Sequence, residues 1–164
     1  MSASEILTLD KALHVEDERI HRMLMRAWFP DWGWHEAARL DEAVEIIRRE
    51  GNNFQLVVLD LNLPDSKGIE TARELRPLTV APFVISTALN ADDVAPYAEE
   101  LGIYGIIEKS KSYTKERIRP ILLNAYRDWR DPRLTMDITT LTEQVKAVTE
   151  RREKWIKEHE TRNG

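Results

Sequence analysis

The stretch Val57-Val58-Leu59-Asp60-Leu61-Asn62-Leu63-Pro64-Asp65 (VVLDLNLPD) decides the fold. Leu56–Leu59 is an apolar run without helical spacing, and it reads as a strand buried on both faces. It stops on one carboxylate, Asp60, and a Leu-Asn-Leu-Pro turn follows. Three further runs share the pattern: Ala12–Val15, Phe83–Ser86 and Ile103–Ile107, with a weaker one at Gly33–Ala38 after Phe29-Pro30-Asp31. Between them lie segments of helical period. Ile20, Met23, Leu24, Ala27 and Trp28 share one predicted face, as do Ala43, Val44, Ile46 and Ile47, ending at Gly51. Ile69, Ala72 and Leu75 stop before Pro77; Val94, Tyr97, Ala98 and Leu101 end at Gly102; Ile118, Ile121, Leu122, Ala125 and Tyr126 form the last. Strands alternating with helices over residues 10–130 predict a parallel sheet covered on both faces. Ligands of such sheets bind at the carboxyl ends of the strands.

The bounds agree with one α/β domain and a helical extension. The chain has 164 residues, a net charge of −5 and no cysteine, which excludes disulfides and thiolate metal sites. The acidic balance argues against nucleic acid as a partner. No signal peptide or membrane-spanning run is visible, so the expected location is cytoplasmic.

Chemistry gathers where the strands end. The first run is followed by Glu16-Asp17-Glu18, the third ends at Asp60, the fourth at Ser86-Thr87-Ala88 and the fifth at Glu108-Lys109. Two carboxylates ~4 Å apart repel by about 4 kcal/mol at an effective dielectric near 20, so three at one rim need a cation. Hard oxygen donors in an open site suit Mg²⁺ or Mn²⁺. Lys109 adds a second positive charge, and the set is suited to binding phosphoryl oxygens. Asp60 is the expected nucleophile, forming an acyl phosphate, with Thr87 as a hydrogen-bond donor to the new group.

Glu16-Asp17, Asp60 with Pro64 and Gly68 behind it, Thr87-Ala88 and Lys109 resemble the receiver domain of two-component response regulators, in order and over residues 10–130. The resemblance implies a flavodoxin-like (βα)₅ sheet of order 2-1-3-4-5 and phosphotransfer to Asp60 from a histidine kinase or phosphotransfer protein. It implies that Asp17 and Asp60 ligate Mg²⁺ directly, Glu16 partly through water and Asn62 through its backbone carbonyl. Thr87 is then the switch hydroxyl and Lys109 the partner of the phosphoryl group, in a signalling protein rather than an enzyme, with at most slow autodephosphorylation. Two positions depart from the family. Ile106 stands where an aromatic usually rotates on activation, with Tyr104 offset by two, and Ser110 replaces the usual proline after the lysine. These favour a second reading, a receiver-like scaffold controlled by its partner or oligomeric state without phosphate. A haloacid dehalogenase-type phosphatase needs an acid two residues after the nucleophile, where this chain has Asn62.

Trp28, Phe29, Trp32 and Trp34 read as an aromatic lid at the end of the first helix, or as a partner surface, since receivers dock kinases near that helix. His14, His21, His35 and His159 show no metal spacing and read as structural or solvated. Residues 1–9 are expected to be a tail and 131–137 a linker, with an amphipathic helix over 138–164. Ile138, Leu141, Val145, Val148, Arg152, Trp155 and His159 recur at alternating steps of three and four, the spacing of a coiled-coil seam. A homodimer through 138–160, a helix folded back on the receiver and a docking helix for a downstream protein are all open. The segment is too short for a winged-helix output domain, and the chain could also be a receiver fragment of a longer regulator.

Overall fold

The computed structural model describes residues 7–51, 53–88, 90–111, 113–131 and 150–159. The chain separates into two units, Met1–Trp129 and Arg130–Gly164.

In the first unit five strands, β1 (Ala12–Val15), β2 (Trp34–Ala37), β3 (Leu56–Asp60), β4 (Phe83–Thr87) and β5 (Ile103–Glu108), form one parallel sheet in the order β2-β1-β3-β4-β5. The connections carry helices α1 (Arg19–Trp28), α2 (Leu40–Glu50), α3 (Glu70–Leu75), α4 (Ala91–Val94) and α5 (Ala98–Leu101), and α6 (Lys115–Arg130) follows β5. This is the expected flavodoxin-like architecture.

Alternation along each strand divides the core in two. Leu13, Val15, Val57, Leu59, Phe83 and Ile85 face α2 and α3 through Ala43, Ile46, Ile47, Ala72 and Leu75. Ala12, Leu56, Val58, Val84 and Ile107 face the other way, packing with Met25 of α1 and Ile118, Leu122 and Ala125 of α6. In β3, which is apolar on both sides, the first polar side chain to break the pattern, Asp60, marks where the strand leaves the core. Before β2 the chain passes so close to Asp10 that a Cβ on Gly33 would meet its carbonyl oxygen at 1.8 Å, so glycine is required there.

Two expectations are corrected. In α1 the stripe of Ile20, Met23 and Ala27 points outward, with Ile20 56% and Met23 44% exposed, while Met25 is fully buried. Neighbouring helical positions lie about 100° apart, so the inward face is one step round from the predicted one. It carries the polar His21, which pairs with Glu16 and weakens the apolar signal of that face. In β5 the register slips, Phe83 pairing with Ile103 but Val84 with Gly105. The bulge takes Tyr104 out of the alternation and leaves it 41% exposed, while Ile106 packs on the α2/α3 side of the core. The Tyr104 ring therefore does not substitute for an aromatic at Ile106. The aromatic group, in contrast, is a lid: Phe29 and Trp32 are buried and stacked at 4.7 Å, and Trp32 stacks on Trp34 at 5.6 Å.

In the second unit residues 150–159 are helical, matching the expected C-terminal helix there. The His159 ring stacks on Trp155 at 3.8 Å and its Nδ1 lies 2.8 Å from the Trp155 carbonyl oxygen. Ile138, Leu141, Val145 and Val148, with residues 132–137 of the linker expected over 131–137, lie outside the described residues.

Candidate phosphoryl-acceptor site

Parallel pairing puts all strand ends on one edge. Glu16 follows β1, Asp60 ends β3 opposite Ser86 of β4, and Thr87 lies opposite Glu108 of β5, just before Lys109. The Lys109 amide donates to the Thr87 carbonyl at 2.8 Å, which ties the two last loops together. After Asp60 the chain forms a small hairpin, Asn62–Leu63 against Ser66–Lys67. Leu61 and Leu63 anchor it in the core, and Gly68, at a φ of 73°, closes it by donating its amide to the Leu61 carbonyl at 2.7 Å. That left-handed backbone suits glycine.

Asp60 is 4% exposed, and both of its carboxylate oxygens are engaged. Oδ1 accepts the Asn62 amide at 2.9 Å and Oδ2 accepts Lys109 Nζ at 2.9 Å. Lys109 Nζ also lies 2.5 Å from Oε1 of Glu16, which is fully buried. Carboxylate oxygens of Glu16, Asp17 and Asp60 come within 4.8 Å of one another, with Asp17 on the exposed side. One ammonium does not balance three carboxylates. Burial, and next the neighbouring Asp60, push Glu16 up to about 8, against the opposing pull of Lys109. Burial alone would lower Lys109, but its bonds to Glu16 and Asp60 hold it above the ordinary lysine range. An acidic pocket strained in this way favours an added cation.

The structure thus brings together Glu16, Asp17, Asp60 and Lys109, with Thr87 buried at the same edge. Asn62 is exposed; its side-chain oxygen accepts Lys67 Nζ at 2.7 Å, and its backbone amide donates to Asp60 Oδ1.

The model for the response regulator receiver domain matches residues 12–121. The chain belongs to the response regulator receiver family. This receiver is 32% identical over 123 residues to the methanogenesis regulatory protein FilR1 of Methanothrix harundinacea, an alignment covering 71% of this chain and 27% of that protein. It is 29% identical over 138 residues to the transcriptional regulatory protein PdtaR of Mycobacterium tuberculosis, covering 82% of this chain and 66% of the relative. The alignments therefore span roughly a quarter to two thirds of those relatives' lengths. Among solved structures, the BeF3-activated N-terminal receiver domain of Klebsiella pneumoniae RstA superposes with a TM-score of 0.56 at 31% identity, covering 69% of this chain and 98% of that one. A CheY-like receiver domain from Methylobacillus flagellatus gives 0.59 at 24% identity, covering 71% and 98%.

Two residues lie beside the receiver's acid pocket that the sequence reading did not place there: His21, read as structural or solvated, and Tyr113. His21 Nδ1 lies 3.2 Å from Glu16 Oε1 and 3.3 Å from Glu18 Oε2. The Tyr113 ring, from the loop after β5, packs on His21 at 4.5 Å and on Trp28 at 5.4 Å. Burial, then the charge of Glu16, raise the Tyr113 hydroxyl above its ordinary range. The Tyr113 hydroxyl and Ser86 Oγ are close enough to interact but have no bond of normal geometry among the described residues. Both His14 ring nitrogens are also unbonded beneath the pocket. The only sequence signal for His21 is its position one turn beyond a strand-end acid pair, which by itself specifies nothing.

Proposed function

We propose that this receiver accepts a phosphoryl group on Asp60 from a histidine kinase or phosphotransfer protein, with Mg²⁺ or Mn²⁺ at the acid pocket. The observation that supports this best is Asp60 at a buried strand end, 2.9 Å from Lys109 Nζ and within 4.8 Å of the Glu16 and Asp17 carboxylates. Excess negative charge with oxygen-only donors fits a hard divalent cation. In this reading Asp17 and Asp60 hold the ion directly, Glu16 acts partly through water, and Asn62 contributes its carbonyl. The bound ion supplies charge neutralisation at the phosphoryl oxygens.

The chain's own residues do the rest. A carboxylate oxygen of Asp60 attacks phosphorus, the phosphorus–nitrogen bond to the donor imidazole breaks, and that nitrogen takes the electron pair and a proton. An acyl phosphate remains on Asp60. Lys109 turns from the carboxylates to the new anion, and the Thr87 hydroxyl donates to it. Signalling then passes by protein–protein contact to a downstream target. In this division residues 10–130 are the receiver, 131–137 a linker and 138–164 a helical extension. Cytoplasmic placement and a role as a signalling protein without enzymatic turnover complete the reading; among the described residues no helix is long and apolar enough to cross a membrane.

Ile106 favours a second reading, a scaffold controlled by partner or oligomeric state without phosphate, because no aromatic stands at that point of β5 to rotate. Intact mass after incubation with acetyl phosphate and Mg²⁺ separates the two. A single phosphoryl gain in the native chain, absent in Asp60→Asn, is the expected result. No gain in a native chain that binds Mg²⁺ would favour the scaffold, and labelling that survives in Asp60→Asn would move the nucleophile elsewhere.

A further inference from the structure

We propose that His21 is a positioning residue for Glu16, holding this carboxylate toward the cation through an Nδ1–H donor; the inference rests on the reading of Glu16 as part of the metal site.

Glu16 has no contact with solvent, so its orientation is set by protein donors alone. Three are present. Lys109 Nζ and His21 Nδ1 both reach Oε1, at 2.5 and 3.2 Å, and the Glu18 amide approaches Oε2 at 3.4 Å. Lys109 is shared with Asp60, so it is not a fixed support. Once Lys109 turns to an anion on Asp60, His21 is the described side-chain donor that stays on Glu16. Its own orientation is over-determined. The ring lies against Tyr113 at 4.5 Å, Tyr113 lies against Trp28 at 5.4 Å, and Nδ1 also reaches Glu18 at 3.3 Å. The backbone below is braced separately, because Arg22 donates to the carbonyls of Glu16 and Asp17 at 2.7 and 3.0 Å. His21 therefore acts on the side chain of Glu16, and the loop keeps its shape without it.

Groups that orient a metal-binding carboxylate typically change metal affinity by about 10- to 100-fold when removed. The test is a Mn²⁺ titration of the full chain, reading the free ion by electron paramagnetic resonance, with thermal melts alongside. His21→Asn keeps an N–H donor near the Nδ1 position, and His21→Leu keeps bulk without a donor. The expected result is affinity within about threefold of native for His21→Asn and about tenfold weaker for His21→Leu, both chains melting as the native one does. Native affinity in His21→Leu, or equal weakening in both variants, overturns the proposal. Should His21→Leu fail to fold, His21→Gln decides, since its amide extends to the Nε2 position; weakened binding is expected and native binding overturns the role. A native chain that binds no Mn²⁺ overturns instead the metal-site reading on which the proposal stands.

Discussion

Lys109 Nζ bridges Glu16 Oε1 at 2.5 Å and Asp60 Oδ2 at 2.9 Å, joining the ends of β1 and β3 through a residue that follows β5. Breaking a buried pair by removing one partner costs about 3–5 kcal/mol, because the other charge stays buried. Lys109→Met should therefore destabilise the metal-free chain by about 3 kcal/mol in urea unfolding near neutral pH. Adding Asp60→Asn removes the abandoned carboxylate and should restore at least half of that loss. An additive double variant would show that the bridge is not coupled.

The pocket also sets the pH dependence of stability. Glu16 is raised from 4.5 to about 8, so between these values the folded chain holds a proton that the unfolded chain has released. Stability from this group falls as pH rises. Burial, and then the charge of Lys109, lower His14 from 6.5 to about 3, so there the unfolded chain holds the extra proton and stability rises with pH. Each slope is at most about 1.4 kcal/mol per pH unit, and the two oppose each other from pH 4.5 to 6.5. Metal-free unfolding should show a shallow profile there and a decline from pH 6.5 to 8. Glu16→Gln should remove the decline and expose a rise toward pH 6.5, while His14→Leu should let the decline begin near pH 4.5. Identical profiles for all three chains would contradict both assignments.

A second connection runs from the hairpin after Asp60 to α2. No side chain caps α2 from its own N-cap residue, Arg39. Asp65 does so from 25 residues away, accepting the Leu40 and Asp41 amides at 2.8 and 3.0 Å. These bonds outweigh the effect of burial and hold the Asp65 carboxyl below its ordinary range. Asp65→Ala should cost about 1 kcal/mol in urea unfolding, the usual loss for a cap, and Asp65→Asn should cost less. No change in the midpoint would mean that water replaces the cap without penalty.

The sheet and most of the pocket were legible because strands apolar on both faces announce their own ends. Glu16 and Asp60 are each the first charge after such a run, Lys109 follows directly on Glu108 at the end of another, and parallel pairing brings these ends together. The face of α1 was not legible, because its inward stripe contains a histidine whose partner lies in another element. Tyr113 was hidden for the same reason, since its neighbours His21 and Trp28 are supplied by tertiary packing. The bulge at Tyr104 arises from pairing with β4, and no local pattern records which strand will slip.

The C-terminal helix carries the last prediction. Arg152, Trp155 and His159 continue the spacing that Ile138, Leu141, Val145 and Val148 begin, and residues 150–159 are helical. A seam of this kind buries little in a single helix and most when two copies align. Arg152 and His159 are poor seam residues, so the four aliphatic positions and Trp155 would supply most of the association. Light scattering should find the full chain as a dimer and a chain ending at residue 137 as a monomer, with Trp155→Ala weakening the dimer and leaving the melting of the receiver unchanged. A full chain that is monomeric at all accessible concentrations would discard the coiled coil and leave this helix to fold back or to dock another protein.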